Sequence, residues 1–155
     1  MAVRTEQVGE MTVVALRHVG PYDQISHEFG ELMNWTNKHK VAYDLCLAVY
    51  HDDPRVVSSQ ELRSDACVVV ADDFSLPSSD GLDLRLDTVP SGEYAVTTHV
   101  GAYDGLGNAW ESFVAEEILA LGRIPDHQVA FEIYRVAGPG IAPSEQRTDL
   151  YMRLR

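Results

Sequence analysis

The sequence predicts an α+β fold built by tandem duplication of one strand-helix-strand-strand unit. Arg17–Asp23 returns as Thr98–Asp104, an offset of 81, and after a three-residue insertion the offset of 84 aligns Tyr50 with Tyr134. Each copy also passes from short Val- and Leu-rich runs to one stretch of helical spacing. Two such copies predict a mainly antiparallel sheet with two helices on one face and a groove between them.

In the first copy, Met11–Val19 is rich in Val and Leu and predicts a strand, and the following Gly20-Pro21 predicts a turn. Apolar residues then recur at helical spacing between Ile25 and Thr36, and Lys38 to Lys40 follow where a helix C-terminus favours cations. The remaining predicted strands of this copy are Leu45–Tyr50 and Ala66–Ala71.

The second copy repeats the order with a better defined helix. Its apolar stripe between Leu106 and Leu121 predicts a helix over Gly105–Leu121, which Gly122 and Pro125 end. The predicted strands of this copy are Tyr94–Val100, Val129–Val136 and Asp149–Leu154.

One further extended run precedes each copy, Val3–Val8 in the first and Leu84–Val89 in the second, and we expect both to join the sheet. The whole chain, 1–155, is predicted to be a single domain. Repeat 1 covers about 3–71, a polar linker about 72–82 and repeat 2 about 83–155. At 155 residues the chain is long enough for one well-formed core.

Composition narrows the class of function. The chain has 12 Lys and Arg against 24 Asp and Glu, a formal net charge of −12, which disfavours direct nucleic-acid binding. It has no apolar run near the roughly 20 residues of a membrane span and no signal-peptide core, so we expect no membrane insertion and a cytoplasmic location. The two cysteines lie in apolar runs, and the six histidines form no metal-binding pattern. We therefore expect neither a metal nor a cofactor.

The duplication singles out Glu132 as a functional candidate. At offset 84, Ala48 of the first copy aligns with Glu132 of the second. Strand alternation places Glu132 and Tyr134 on one face and Phe131 on the other. A carboxylate in an otherwise apolar strand is costly to bury without a partner. Glu132 is therefore either a sheltered acid that anchors a ligand or an ordinary carboxylate on a solvent-exposed face.

Five aromatic side chains are candidates for the faces around a flat or cationic ligand: Tyr134, Tyr50, Trp110, Trp35 and Tyr103. Core packing on the helical stripe is the alternative for Trp110. Trp35 lies beside the corresponding stripe, where partial exposure is expected. Tyr103 also recurs as Tyr22, which favours a structural role at the start of each helix.

Glu117 lies near the stripe of the second helix. It either flanks the groove or extends its carboxylate to water. Two polar pairs recur in both copies, Asp65 with Asp149 and His18 with His99. Recurrence favours ion-pair or turn roles for them over catalysis.

The repeated His-Val-Gly-(Pro or Ala)-Tyr-Asp elements, Phe131-Glu132-Ile133-Tyr134 and Thr148-Asp149-Leu150-Tyr151 resemble the gyrase-inhibitor-like small-molecule-binding family. Its fold also forms the effector-binding domain of multidrug-sensing bacterial transcription activators. The resemblance implies a bacterial protein whose central groove binds hydrophobic, often cationic, molecules, with Glu132 at the pocket floor. Stand-alone members of the family are gyrase modulators or hydrolases of cyclopropane-containing toxins.

The leading interpretation is a stand-alone protein that binds hydrophobic, cationic compounds in the groove through Glu132. A first alternative is a hydrolase of reactive electrophiles in which Glu132 is the catalytic residue, so the sequence leaves open whether the protein is an enzyme. A second alternative is a gyrase-modulating interaction module whose acidic surface docks on gyrase or another basic protein surface.

Overall fold

The computed structural model describes residues 2–155, so residue 1 of the expected domain 1–155 lies outside the described residues. The chain forms two compact units. The first unit is Glu10–Pro90, and the second unit joins the chain up to Gly9 with Ser91–Arg155. Each unit contains four strands and one principal helical segment. The predicted α+β class and the mainly antiparallel pairing are confirmed, whereas the arrangement of both helices on one face with a groove between them stays a prediction.

The first unit is a four-stranded antiparallel sheet in the order β3-β4-β2-β5, with one helix packed on β2 and β4. The buried face of the helix presents Leu32, Trp35 and Thr36. The elements of this unit are β2 (Met11–Val19), α1 (Ser26–Lys38), β3 (Cys46–Tyr50), β4 (Arg63–Val70) and β5 (Leu84–Val89).

The second unit repeats this architecture in the order β1-β6-β8-β7, again with antiparallel pairs. Its elements are β1 (Val3–Val8), β6 (Gly92–Val100), α2 (Leu106–Ser112), α3 (Ile118–Ala120), β7 (Pro125–Val136) and β8 (Arg147–Leu154). Several strands begin a few residues earlier than predicted, because ladder hydrogen bonds extend past the apolar runs into polar residues such as Arg147.

The compact units differ from the sequence repeats by an exchange of their first strands. β5, which begins the second repeat, pairs with β2 in the first unit, with Leu16 opposite Leu84. β1, which begins the first repeat, pairs with β6 in the second unit, with Val3 opposite Thr97. Both runs join a sheet, as expected, and each does so beside strands of the other repeat.

The second helix contains a π-helical turn, Phe113–Glu117, between α2 and α3. Its buried residues are Ala109, Phe113 and Ile118, a spacing of four and then five residues. The π turn has the i to i+5 geometry that aligns Phe113 with Ile118 on one face. The helix α1, built from the first repeat, runs without such a turn.

Candidate functional site

Glu132 is a buried carboxylate in the middle of β7. Its exposed fraction is 1 %, and it lies opposite Leu150 of β8. Its neighbour Phe131 is fully buried and stacks on Tyr151 with ring centroids 4.6 Å apart. The strand is therefore covered on both faces at this point. The expectation of a sheltered carboxylate is confirmed, and the alternative of a solvent-exposed Glu132 is wrong.

Trp110 holds one oxygen of this carboxylate. The indole Nε1–H of Trp110, on α2, donates a hydrogen bond of 2.7 Å to Glu132 Oε1. Trp110 is half-buried and also meets Phe113 with ring centroids 5.8 Å apart. The Trp110 side chain therefore packs on its own helix and also contacts Glu132. A hydrogen bond to a carboxylate is stronger than one between neutral groups, so this bond fixes the position of Glu132 Oε1 against the helix.

Two tyrosines bring aromatic surface to the same unit. Tyr103 lies in a short 3-10 turn at the start of α2 and is 41 % exposed. Its ring meets the ring of Tyr134 edge-on, with centroids 5.7 Å apart. Burial raises the pKa of the Tyr103 hydroxyl, and the charge of Glu132 raises it further. The electrostatic effect couples the carboxylate to a partly accessible aromatic hydroxyl.

The first unit carries the corresponding tyrosine pair without the carboxylate. Tyr22 and Tyr50 have ring centroids 4.6 Å apart, and Ala48 at the position equivalent to Glu132 is fully buried. The Tyr22 hydroxyl donates to the backbone oxygen of Asp52 at 2.6 Å and accepts from its backbone N–H at 3.0 Å. Burial is the main cause that raises the pKa of Tyr22 to about 12. Tyr22 thus has the structural role expected of it, whereas Tyr50 as a ligand contact stays a prediction.

Trp35 differs from expectation. It is 2 % exposed, and its Nε1–H donates to the backbone oxygen of Ser78 at 2.8 Å. The expected partial exposure is wrong, because the stretch between the repeats packs over this ring and satisfies its only polar group. A ligand contact at Trp35 stays a prediction.

Glu117 lies at the end of the π turn. Ser112 Oγ donates to its Oε2 at 3.0 Å. Its Oε1 is buried without a hydrogen-bond partner among residues 2–155. Glu117 therefore does not extend its whole carboxylate to water. A ligand-binding role for Glu117 stays a prediction.

The recurring aspartates form ion-pair clusters, as their recurrence indicated. Asp65 is 2 % exposed and accepts from Arg17 at 2.7 Å, from His51 at 2.5 Å and from Arg85 at 2.5 Å. Burial alone would raise the pKa of Asp65, but the hydrogen bonds from His51, Arg85 and Arg17 hold it well below its usual range. Arg85 belongs to β5, so this cluster attaches the exchanged strand to the first unit.

Asp149 is the equivalent centre of the second unit. It accepts from Arg135 at 2.9 Å and from the Thr98 hydroxyl at 2.6 Å, and Arg4 of β1 lies 3.7 Å away. His18 and His99 also keep one role, since each ring Nε2 bonds a backbone oxygen of the turn that follows, Pro21 or Ala102.

Two surface depressions lie in the first unit and not at Glu132. One, of about 250 Å³, is lined by residues that include Trp35, Lys38 and Asp80. The other, of about 470 Å³, includes Tyr43 and Val70. Both are shallow and open to solvent, which suits a small ligand poorly. The candidate site is therefore the buried carboxylate of Glu132 with the aromatic rings of its unit.

Residues 2–155 contain neither a metal-ligand cluster nor a membrane-spanning helix. Within this part of the chain, His, Cys, Asp and Glu side chains form no group of three or more that could hold a metal ion. No helix of these residues has the length and apolar character needed to cross a membrane.

Known proteins resemble this chain over nearly its whole length. The family model of GyrI-like small-molecule-binding domains matches residues 1–155. A protein of Serratia proteamaculans (strain 568) named DNA gyrase inhibitor is 39% identical over 136 residues, 86% of this chain and 86% of that protein.

Two solved structures have the same fold. The C-terminal domain of EcmrR gives a TM-score of 0.80 at 16% identity, over 99% of this chain and 97% of its own. SAV2435 bound to tetraphenylphosphonium gives 0.63 at 13% identity, over 100% of this chain and 94% of its own.

Proposed function

Because the chain belongs to the GyrI-like small-molecule-binding family, we propose that it binds a hydrophobic cation with Glu132 as the counter-charge. The binding site of this proposal lies in the second unit, beside Glu132, Trp110, Tyr103 and Tyr134. The observation that carries the proposal is the buried carboxylate of Glu132, held by an indole N–H and neighboured by aromatic rings, at a position where the first copy has Ala48.

The chemistry of these residues favours a cation with delocalised or shielded charge. An ionised carboxylate out of water is costly, and a cation beside it offsets that cost. Aromatic rings attract the same cation through their faces. A hydrophobic cation is less strongly hydrated than an ammonium ion. Its desolvation therefore costs less free energy, and it enters such a site more readily. The net charge of −12 also raises the local concentration of cations. SAV2435, which shares the fold, was solved with tetraphenylphosphonium.

Hydrolysis of a reactive electrophile at the same site is a second candidate function. The observation that favours it is the electrostatic coupling between Glu132 and the Tyr103 hydroxyl. In such a reaction, Glu132 would take a proton from water as the water attacks a strained carbon, and Tyr103 would donate a proton to the leaving group. Binding and hydrolysis use one site, so product formation distinguishes them.

A gyrase-directed role is a third candidate, and the name of the Serratia relative supports it. The acidic surface of this chain suits a basic protein partner. An association of that kind weakens steeply with salt and is insensitive to Glu132, because the buried carboxylate does not form part of the surface. Titration with purified gyrase at increasing ionic strength tests it.

The test of the leading proposal compares a cation with a neutral ligand of similar shape. We expect Glu132→Gln to weaken tetraphenylphosphonium binding by about 1–3 kcal/mol, as for the loss of a charged partner. Triphenylphosphine oxide, which is neutral, should lose much less. The matched control is Glu145→Gln, which makes the same change of net charge at an exposed position. Calorimetric titration gives the affinities. Equal losses for the two ligands, or equal losses in the two variants, would contradict the anchor role.

A further inference from the structure

The end of the second helical segment exposes three large apolar side chains within six residues. Leu119 is 54 % exposed, Leu121 45 % and Ile124 57 %. We define these three residues as the apolar helix end. In the first copy the corresponding helix end carries Lys38 and Lys40 instead, both exposed. The two copies therefore differ here as clearly as they do at Glu132.

The apolar helix end lies on an acidic element. Residues 106–120 contain three carboxylates, Glu111, Glu116 and Glu117, and no Lys or Arg, a net charge of 0 − 3 = −3. Arg123 follows, but Glu93 neutralises it through an ion pair. Arg155 lies close as well, since its backbone N–H donates to the Ile124 oxygen at 3.0 Å. Arg155 is one positive charge against the three carboxylates of residues 106–120, so the local net charge stays negative.

From these observations we propose that the apolar helix end is a docking site for a basic amphipathic helix of another protein. Such a helix presents apolar anchors on one face and Lys or Arg on the other. Its apolar face would cover Leu119, Leu121 and Ile124, and its cations would meet the two exposed carboxylates of the flanking helix, Glu111 and Glu116. This proposal does not depend on ligand binding at Glu132.

Charge and size disfavour two other occupants. A second copy of this chain carries the same charge of −12 and presents the same acidic helix, so the two copies repel each other. Three partly exposed side chains also offer less area than the roughly 800 Å² per partner of a standard interface between two folded proteins, so they suit the face of one helix better than a second copy. An anionic membrane is also repelled by the carboxylates of residues 106–120. Amphipathic helices attach to such membranes through Lys and Arg, which residues 106–120 lack.

The test uses a model peptide of about 14 residues, long enough for a helix, that contains only Leu and Lys in amphipathic order. The comparison peptide replaces every Lys by Glu. The variant is the pair Leu121→Gln and Ile124→Gln, which leaves the net charge unchanged. The matched control is Val56→Gln, at a position that is 81 % exposed in the first unit. Fluorescence anisotropy of labelled peptide measures affinity, and thermal unfolding confirms that the variants are folded.

We expect the wild type to bind the Lys peptide and not the Glu peptide. The paired variant should bind the Lys peptide about tenfold more weakly, and Val56→Gln should stay within about twofold of the wild type. Tetraphenylphosphonium affinity should be the same in all three proteins, which separates this proposal from the one at Glu132. If the paired variant misfolds, Ile124→Gln alone should still weaken peptide binding.

Four results would overturn the proposal. The first is equal peptide affinity in the wild type and the paired variant, which leaves net charge as the whole cause. The second is no peptide binding by the wild type. The third is a wild-type dimer, seen by light scattering, that the paired variant converts to a monomer, because a second copy then covers the surface. The fourth is binding to phosphatidylglycerol vesicles that depends on Leu121 and Ile124.

Discussion

The hydrogen bond from Trp110 to Glu132 predicts a measurable energetic coupling between helix and strand. Trp110→Phe removes the Nε1–H that lies 2.7 Å from Glu132 Oε1. A hydrogen bond to a charged group contributes about 1.5–3 kcal/mol, and the 1 % exposure of Glu132 prevents water from replacing the donor. The smaller ring also loses apolar contact worth about 1 kcal/mol. We therefore expect the free energy of unfolding to fall by about 3 kcal/mol.

A double-mutant cycle isolates the contribution of the bond. In the Glu132→Gln background the indole N–H meets a neutral acceptor, and a neutral hydrogen bond contributes about 1 kcal/mol. Trp110→Phe should therefore cost about 1 kcal/mol less in that background than in the wild type. Urea unfolding at pH 7, followed by far-ultraviolet circular dichroism, gives the four free energies. Additivity to within about 0.3 kcal/mol would refute the coupling.

Two further predictions concern ionisation. Asp65→Asn should lower the free energy of unfolding by about 3 kcal/mol, near the low end for a broken buried pair because its cations are partly exposed. The pKa of Asp65 is lower in the folded protein than in the unfolded chain, where it is about 3.9. The difference in unfolding free energy between wild type and Asp65→Asn should therefore be complete above about pH 3.9 and should shrink as the pH falls toward the folded pKa. An undiminished difference at about pH 2 would contradict this prediction. Glu132→Gln should lower the pKa of Tyr103 toward its usual value, because one of its two causes is then gone while burial remains. Nuclear magnetic resonance titration of the Tyr103 ring checks this, and an unchanged pKa would show that the carboxylate and the hydroxyl are not coupled.

The duplication made much of the second unit predictable from sequence. Aligning the copies at offset 84 identified Glu132 against Ala48, and the structure buries both positions. Recurrence of Asp65 and Asp149 correctly indicated ion pairs. These inferences succeeded because strand alternation depends on a few neighbouring residues and repeat equivalence follows from aligning the sequence with itself. Such patterns require no knowledge of tertiary packing.

The strand exchange was not predictable in the same way. Val3–Val8 and Leu84–Val89 have similar patterns, so hydrophobic alternation fits either run beside β2 or β6. The choice depends on tertiary contacts, among them Arg85 to Asp65 and Arg4 to Asp149. The two arginines gave no signal either, because they are equivalent at offset 81 and either could pair with either aspartate.

Helical periodicity alone also could not predict where the side chains of the helices lie. Helical spacing placed Trp110 on the apolar stripe, but the direction of its indole N–H depends on a rotamer that packing selects. The π turn at Phe113–Glu117 shifts the spacing by one residue, which a fixed period of 3.6 does not anticipate. Trp35 was expected to be partly exposed because it lies beside the apolar stripe. That expectation failed because helical spacing takes no account of the segment around Ser78 that covers the ring.

The most direct test of the central claim is a crystal structure of the protein with tetraphenylphosphonium. We predict that the phosphonium lies in the second unit beside the Glu132 carboxylate, with the ring of Tyr103 or Tyr134 within about 6 Å of the cation, the range of cation–π attraction. Crystals of Glu132→Gln soaked at the same concentration should lack the ligand or show it at low occupancy. A phosphonium bound instead in the depression beside Trp35 and Asp80, with Glu132 distant from it, would contradict the account.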